Sequence, residues 1–369
     1  MGKQVRWRLS GRWLAALLAT LLAAPLLSAP TARAAAQEFV FSANQAEHDV
    51  SAYRVLADGR LQPLKGTPYR VGRYPVAIDK APDGRTVYVV NQGSGTLSAL
   101  RVEGDTLVEL PGSPYPVGAY PDGVAVDPSG RWLLITLEDS DILRLYRLRE
   151  DGTLGEMADE AGTGRHPISV TLSHGGDLAV VSNFYGRSIT AFRLDREAGR
   201  LQPVGRPAET EDRPIYTAFS PDDRFLFVAN YGDTTVSAFR IKDEGLVPVP
   251  GSPFPAGAQP YSVTVDPAGR YVYAANWGSH DVSAYRLDGD SGRLIPLPGS
   301  PYAADWYPYA VAVDPEDRFV YVANNGAGNI SAYRIQADGT LAPVPGERFP
   351  SGLGPYGMVV SEFAAFETP

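Results

Sequence analysis

The sequence predicts an all-β protein, a seven-bladed β-propeller built from four-stranded antiparallel blades, because two markers repeat with one period. A proline precedes an apolar strand at Pro75, Pro121, Pro167, Pro214, Pro260, Pro308 and Pro355. These prolines are 46 to 48 residues apart. The second marker, an asparagine that ends a second strand, occurs at Asn44, Asn91, Asn183, Asn230, Asn276 and Asn324, with Leu137 in the matching place of one unit. A period of this length with four short strands is typical of a propeller blade.

One unit illustrates the predicted strands. Residues 261–266 and 271–276 are rich in β-branched and aromatic side chains, which favours two strands. The Asp-Pro-Ala-Gly segment between them is typical of a tight turn. Residues 281–287 form the predicted third strand and residues 293–297 the fourth. No segment has sustained helical periodicity.

The two ends of the chain predict how the ring closes. The first strand-like segment, residues 38–44, matches a second strand, and the last, residues 356–361, matches a first strand. Neither end is a whole blade, but together they complete one. We therefore expect six complete blades and one composite blade within a single domain, residues 37–369.

Residues 1–36 are predicted to be a signal peptide. A basic start is followed by an apolar run over residues 13–27, and small residues provide a cleavage site near Ala34 to Ala36. The apolar run is shorter than the roughly 20 residues of a membrane span, although an uncleaved anchor is the alternative. We expect a secreted or periplasmic protein with no membrane span after cleavage.

Composition excludes several classes of function. Removal of residues 1–36 takes away five of the 33 Lys and Arg residues and none of the 42 Asp and Glu residues, so the formal net charge changes from −9 to −14. An acidic protein of this kind is not expected to bind nucleic acid. The chain has no cysteine, which rules out disulfides and thiolate chemistry.

No metal site or cofactor is predicted. The histidines His48, His174 and His280 fall in turns of different blades, so a multi-histidine centre is not expected. The acidic segments at residues 138–141 and 288–290 lack the length and spacing of a calcium loop. We expect both to be solvated turns.

Several repeated segments resemble the lactonase-type seven-bladed propellers. These are PGSPFP at residues 250–255, VDPAGRYVYAAN at 265–276 and VSAYR at 282–286. That family includes bacterial 6-phosphogluconolactonases and a muconate-cyclising enzyme, and propellers with Tyr-Val-Thr-Asn repeats are similar. The resemblance covers the mature chain and implies the propeller fold, with lactone hydrolysis as a family activity.

Catalytic positions of that family are largely replaced here. The family has a His-Pro-His-Ser segment, and the matching residues are 166–169, with Ile168 in place of the second histidine. Its Pro-Arg-His segment matches Pro214 followed by Ile215 and Tyr216. Its Asn-Glu pair matches Asn230 followed by Tyr231. A lactonase would therefore need a rearranged active site.

Positions that vary from blade to blade are the better candidates for function. The arginines that end every third strand are common to all blades, so we interpret them as scaffold. The linkers before the first strands surround one mouth of the central channel, and their residues vary. The predicted ligand-binding residues are Arg73, Tyr74, Tyr120, Arg165, Asp212, Gln259, Trp306, Tyr307 and Tyr309. Aromatic and charged side chains in such a mouth suit a small polar organic ligand, although rings at strand ends also serve as core caps.

Three residues are candidates for catalysis. His166 is the histidine nearest a first-strand proline, and with Asp122 and Arg213 it would supply a base and an anion clamp. The alternative is that His166 is an ordinary polar cap beside Pro167.

Three functions remain open from the sequence. The first is a monomeric binding or interaction scaffold for a small polar ligand or a cell-surface partner. The second is a lactone hydrolase with a rearranged active site. The third is a structural protein of the cell envelope. Because family residues are replaced and the mouth is rich in aromatic and charged residues, the sequence favours the first.

Overall fold

The computed structural model describes Gly2 and residues 36–364, which form seven antiparallel sheets. The predicted signal peptide lies outside the described residues, except for Gly2 and Ala36. We number the blades from the one that contains both ends of the described chain. Blade 1 consists of β1 (Ala36–Asn44), β2 (Asp49–Val55), β3 (Leu61–Pro63), β4 (Tyr69–Arg70) and β32 (Pro355–Ala364). Blade 2 consists of β5 (Pro75–Lys80), β6 (Thr86–Asn91), β7 (Thr96–Glu103), β8 (Thr106–Glu109) and β9 (Tyr115–Pro116).

The other five blades follow in chain order. Blade 3 consists of β10 (Pro121–Val126), β11 (Trp132–Leu137), β12 (Ile142–Leu148) and β13 (Leu154–Gly162). Blade 4 consists of β14 (Pro167–Leu172), β15 (Leu178–Asn183), β16 (Ser188–Asp195) and β17 (Arg200–Glu209). Blade 5 consists of β18 (Pro214–Phe219), β19 (Phe225–Asn230), β20 (Thr235–Lys242), β21 (Gly245–Pro248) and β22 (Phe254–Pro255). Blade 6 consists of β23 (Pro260–Val265), β24 (Tyr271–Asn276), β25 (Asp281–Leu287), β26 (Leu294–Pro296) and β27 (Tyr302–Ala303).

Blade 7 and three short helices complete the described structure. Blade 7 consists of β28 (Pro308–Val313), β29 (Phe319–Asn324), β30 (Asn329–Ile335) and β31 (Leu341–Pro350). The 3-10 helices are Gln92–Ser94, Glu138–Ser140 and Phe184–Gly186. Each helix directly follows the second strand of blade 2, 3 or 4.

The ring closes through the predicted composite blade. Strand β1 pairs in antiparallel register with β32, and Val40 lies opposite Val360. Both strands extend beyond their predicted bounds, so the two ends of the described chain share nine residue pairs from Ala36 with Ala364 to Asn44 with Pro355. The prediction of seven blades and of their closure is confirmed.

Neighbouring blades are held together by buried apolar side chains. Each of seven clusters lies between two adjacent blades. The cluster between blades 7 and 1 contains Phe319 and Tyr321 from one side and Val40 and Tyr53 from the other. Because a blade exposes two apolar faces, stacking around a closed ring removes both from water.

Four of the seven scaffold arginines, Arg54, Arg101, Arg240 and Arg334, bond to the next blade. Arg101 of blade 2 donates to the carbonyl of Asp151 in blade 3 at 2.6 Å. Arg240 makes the equivalent bond from blade 5 to Asp290 in blade 6, also at 2.6 Å. The buried strand-ending asparagines act within a blade, where their amide nitrogens donate to side-chain oxygens of the third strand, in the manner of Asn230 and Ser237 at 2.9 Å.

Candidate functional site

Seven loops form one mouth of the channel, and the same backbone pattern recurs in each. The residue before each first-strand proline has a left-handed backbone, with φ between 47° and 70°. Its carbonyl accepts a hydrogen bond from the amide of the residue after the second strand. The pairs, amide first, are Gln45 with Gly354, Gln92 with Tyr74, Glu138 with Tyr120, Phe184 with His166, Tyr231 with Arg213, Trp277 with Gln259 and Asn325 with Tyr307. This bond fixes a conformation that L residues rarely adopt.

A cavity of about 240 Å³ opens at this mouth. Its lining consists of Gln92, Asp122, Glu138, His166, Ile168, Phe184, Ile215, Tyr216, Tyr231, Tyr261, Tyr309 and Tyr356. The polar residues come from blades 2 to 4 and the tyrosines from blades 5 to 7 and from β32. The cavity therefore has a charged wall and an aromatic wall.

The polar wall is organised by Gln92. Its amide nitrogen donates to Oδ2 of Asp122 at 2.9 Å and to Oε2 of Glu138 at 2.8 Å. Asp122 is 6% exposed. Burial, followed by the adjacent carboxyl group of Glu138, raises the pKa of Asp122 well above its usual range. Asp122 therefore favours its protonated form beside Glu138.

Glu138 also contacts the predicted histidine. Nε2 of His166 lies 2.6 Å from Oε1 of Glu138. A carboxylate that accepts the Nε2 proton leaves Nδ1 of the same ring as the proton acceptor. The main-chain amide of His166 is held by Oδ1 of Asp141 at 2.7 Å. The arrangement is a carboxylate-supported imidazole at the edge of a small cavity.

The opposite wall is formed by tyrosines in mutual contact. The ring centroid of Tyr261 lies 4.0 Å from that of Tyr309, and the centroid of Tyr309 lies 4.5 Å from that of Tyr356. The hydroxyls of Tyr261 and Tyr356 are hydrogen-bonded to each other. Burial raises the pKa of Tyr309 to about 12 and also raises that of Tyr216. These hydroxyls therefore remain protonated, and able to donate, at neutral pH.

The structure separates the predicted site residues into groups. Asp122, His166 and Tyr309 line the cavity together. A wider groove beside it is lined by Arg73, Tyr74 and Tyr120. Neither set of lining residues includes the other predicted residues, which are Arg165, Asp212, Arg213, Gln259, Trp306 and Tyr307.

Arg213, predicted as an anion clamp, does not line the cavity. Its guanidinium is about half exposed, 3.8 Å from Asp212, and lies 5.9 Å from the ring centroid of Phe184. On the far side of the mouth, Tyr307 stacks on Trp277 at 4.5 Å. The stacking on Trp277 occupies one face of the Tyr307 ring within the protein. The amide of Tyr307 donates to Nδ1 of His280 at 3.1 Å, and the amide of Tyr74 makes the same bond to Nδ1 of His48.

The prediction that residues 138–141 form a solvated turn is wrong for Glu138. Its side chain is only 17% exposed because it points into the cavity between Gln92 and His166. Gln92 and Tyr231 were also missed as lining residues. One signal was available in the sequence: the residue after the second strand is Gln45, Gln92, Glu138, Phe184, Tyr231, Trp277 or Asn325, and it varies as strongly as the predicted mouth positions.

We also searched the described residues for metal-binding groups and for membrane-spanning helices. The described residues contain no group of three or more His, Cys, Asp or Glu side chains placed to hold a metal ion. No helix within the described residues has the length and apolarity needed to cross a bilayer.

Comparison with known proteins places the chain in a family. The model of the family "Lactonase, 7-bladed beta-propeller" matches residues 65–172, 178–251 and 250–355. No curated protein matches the chain significantly.

Solved structures show the same fold at low identity. A proposed 6-phosphogluconolactonase from Bacteroides uniformis is 18% identical, with a TM-score of 0.78 over 88% of this chain and 99% of the relative. A second proposed 6-phosphogluconolactonase, from Bacteroides fragilis, is 17% identical, with a TM-score of 0.77 over 90% and 99%. The periplasmic gluconolactonase of Pseudomonas aeruginosa is 18% identical, with a TM-score of 0.74 over 89% and 99%. The chain belongs to the seven-bladed β-propeller lactonase family.

Proposed function

We propose that the protein hydrolyses a sugar lactone at the channel mouth, with an active site rearranged from the family pattern. The observation that carries this proposal is the contact of 2.6 Å between Nε2 of His166 and Oε1 of Glu138, in a cavity of about 240 Å³ faced by tyrosine hydroxyls. The names of the solved relatives, a gluconolactonase and two proposed 6-phosphogluconolactonases, support sugar lactones as the substrate class.

His166 is the general base in this proposal. A water molecule gives one proton to Nδ1 of His166, and the water oxygen bonds to the lactone carbonyl carbon while the carbonyl oxygen takes up the electron pair. When that pair returns, the bond between the carbonyl carbon and the ring oxygen breaks. The ring oxygen takes the proton back from the imidazolium, so one lactone and one water give one hydroxy acid.

The surrounding side chains have separate roles. Glu138 orients the imidazole and balances the charge that it gains, as a carboxylate does beside a catalytic histidine. Asp122 and Gln92 are positioning residues that hold Glu138. Hydroxyls of the tyrosine wall, among them Tyr309 and Tyr216, donate hydrogen bonds to the oxyanion, since their raised pKa values keep them protonated.

Ligand binding without turnover is the second candidate. It is favoured by the family residues that are replaced, since Ile168, Ile215 and Tyr231 contribute no base or cation to the cavity. The same cavity would then hold a small polar ligand.

The basic, apolar leader supports the further proposal that either activity takes place in a secreted or periplasmic protein.

Turnover of a lactone panel tests the proposal. The mature protein is incubated with unsubstituted and 6-phosphorylated aldonolactones, and acid release is measured above the spontaneous rate. We expect His166→Ala to lower kcat/KM by about 10²- to 10⁴-fold, because a general base contributes that much. His174→Ala is the control, since His174 is exposed and pairs with Asp223 away from the mouth.

Two outcomes would count against hydrolysis with His166 as the base. One is turnover that survives the loss of His166. The other is a panel in which lactones or aldonates raise the unfolding temperature but none is hydrolysed, which would establish the binding function instead.

A further inference from the structure

A groove adjoins the cavity and shares one residue with it. The groove measures about 800 Å³ and runs over the loops of blades 1 to 3. It is lined by Gln45, Arg73, Tyr74, Gln92, Gly93, Ser94, Gly95, Pro116, Gly118, Ala119 and Tyr120. Gln92 also lines the cavity, where its amide holds both carboxyl groups. A molecule in the cavity therefore has a neighbouring space of the size that holds small-molecule ligands.

A large side chain lies beneath the cavity, so a longer ligand would extend sideways rather than down the channel. The second residue after the first-strand proline is small in six blades: Ala77, Gly123, Ser169, Ser262, Ala310 and Gly357. Blade 5 has Tyr216 at this position. Its side chain lines both the mouth cavity and a separate space of about 90 Å³ beneath it. Tyr216 thus divides the channel below the proposed reaction site.

The groove presents two tyrosine rings to solvent. Tyr74 is 49% exposed and Tyr120 is 53% exposed, so both rings are accessible to a ligand. Tyr74 is held in place by the edge of the His48 ring, 5.0 Å between centroids, and by Gly93. A Cβ atom on Gly93 would lie 2.3 Å from Cδ2 of Tyr74, so the ring occupies the space that only a glycine leaves free.

The other groups of the groove favour a neutral, hydroxyl-rich ligand. Among the described residues that line it, Arg73 alone carries a charge, and its guanidinium already donates to the carbonyl of Gly93 at 2.9 Å. Gln45, Gln92 and Ser94 add amide and hydroxyl groups. Exposed rings that stack on C–H faces, together with amides that bond hydroxyls, suit a sugar ring.

We propose that the groove is a sugar-binding subsite, and that the substrate is an aldonolactone that carries at least one further sugar unit. The lactone ring occupies the cavity beside His166, and the attached sugar lies in the groove against Tyr74 and Tyr120. This inference rests on the proposed lactone hydrolysis, but the subsite can be measured without it.

Two substrates distinguish the subsite from the reaction site. They are a monosaccharide aldonolactone and the lactone of a disaccharide aldonic acid. We expect the disaccharide lactone to have the lower KM. Tyr74→Gly and Tyr120→Gly should each raise that KM by about three- to tenfold, which corresponds to the loss of one aromatic contact, and should change the KM of the monosaccharide lactone less. Glycine suits the left-handed backbone, and Gly354 occupies the same position in blade 1.

The conservative variants Tyr74→Phe and Tyr120→Phe are the matched controls. Because they keep the ring, they should retain the low KM for the disaccharide lactone. A KM that rises for both substrates alike would overturn the subsite, and so would a preference for a 6-phosphorylated lactone that disappears in Arg73→Ala.

Binding without turnover separates the two proposals. Calorimetry measures the affinity of the open-chain disaccharide aldonate for His166→Ala, alone and combined with Tyr74→Gly. If affinity falls with Tyr74→Gly while the wild-type protein hydrolyses no lactone, the subsite is upheld and the hydrolysis is refuted. Hydrolysis of the monosaccharide lactone with no gain in affinity from the second sugar would refute the subsite alone.

Discussion

The carboxyl group of Asp122 has almost no contact with water and lies beside a second carboxyl group. Its raised pKa means that the folded protein binds this proton more tightly than the unfolded chain, in which an aspartate titrates near pH 4. The contribution of this carboxyl to stability is therefore complete below about pH 4 and is lost as the pH rises towards the folded-state pKa.

Replacement of Asp122 by asparagine should remove this loss. The amide in Asp122→Asn stays neutral and still offers an oxygen to the amide of Gln92, so we expect the variant to be more stable than the wild type at pH 8 to 9. The difference should be on the order of 1–3 kcal/mol and should shrink towards pH 5. Urea unfolding at several pH values measures it. A variant that is equally destabilised at every pH would mean that Asp122 is ionised in the folded protein.

At the scale of the strands, the fourth strand of each blade ends in one of two ways. In blades 3, 4 and 7 it is nine or ten residues long and covers most of the third strand. In blades 1, 2, 5 and 6 a turn with a glycine at positive φ interrupts it, and a two-residue strand resumes the pairing. The interruption leaves one amide of the third strand without a main-chain partner.

A hydroxyl in the turn replaces that partner. Oγ of Ser252 accepts from the amide of Ala238 at 2.9 Å, Ser300 does the same for Ala284 at 2.9 Å, and Ser113 for Ala99 at 3.0 Å. In blade 1 the hydroxyl belongs to Thr67, which accepts from Ala52 at 2.9 Å.

Loss of this hydroxyl should destabilise the protein. Ser252→Ala leaves the amide of Ala238 unpaired in a buried place, at a cost of about 1–3 kcal/mol. Ser252→Thr is the control and should be close to neutral, because Thr67 performs the same function in blade 1. Chemical denaturation compares the two variants. Equal stability of Ser252→Ala and the wild type would show that water reaches this amide.

For the whole molecule, stability depends on the closure between blade 7 and blade 1. Glu38 in β1 is 5% exposed, and its Oε2 lies 2.6 Å from a guanidinium nitrogen of Arg318 in blade 7. Burial and the nearby Asp314 outweigh the arginine and raise the pKa of Glu38 to about 7. A rise in pH to neutral therefore weakens the contact between blade 7 and blade 1.

The pH dependence of unfolding tests this point. The contribution of Glu38 is complete below about pH 4.5 and declines as the pH rises to about 7, by a free energy on the order of 3 kcal/mol. Glu38→Gln should remove most of that decline. Glu316→Gln is the control, since its side chain is 55% exposed and also contacts Arg318. If both variants keep the wild-type pH profile, Glu38 does not titrate in this range.

Sequence reasoning succeeded where a structural feature is local and repeated. Strand, turn and linker recur every 46 to 48 residues, so the blade count, the composite blade and the scaffold arginines followed from the period. The site was predicted in part: Asp122 and His166 line one cavity, but Arg213 does not. The position of a residue within the repeat tells at which level of the ring it lies. The direction of its side chain depends on the conformation of the loop and on the space that neighbouring side chains leave free.

By itself, the sequence determined a closed ring of seven like sheets, because the repeated strand and turn residues act within a few positions of each other. Only the tertiary structure decided that Gln92, Glu138 and His166 meet. Each comes from a different blade, and their contact depends on the rotation between blades and on the short helices that turn Gln92 and Glu138 inward. The role of Tyr216 also depends on the tertiary structure. The closed ring brings seven first strands together, and at the second residue after the proline it leaves room for one large side chain among six small ones.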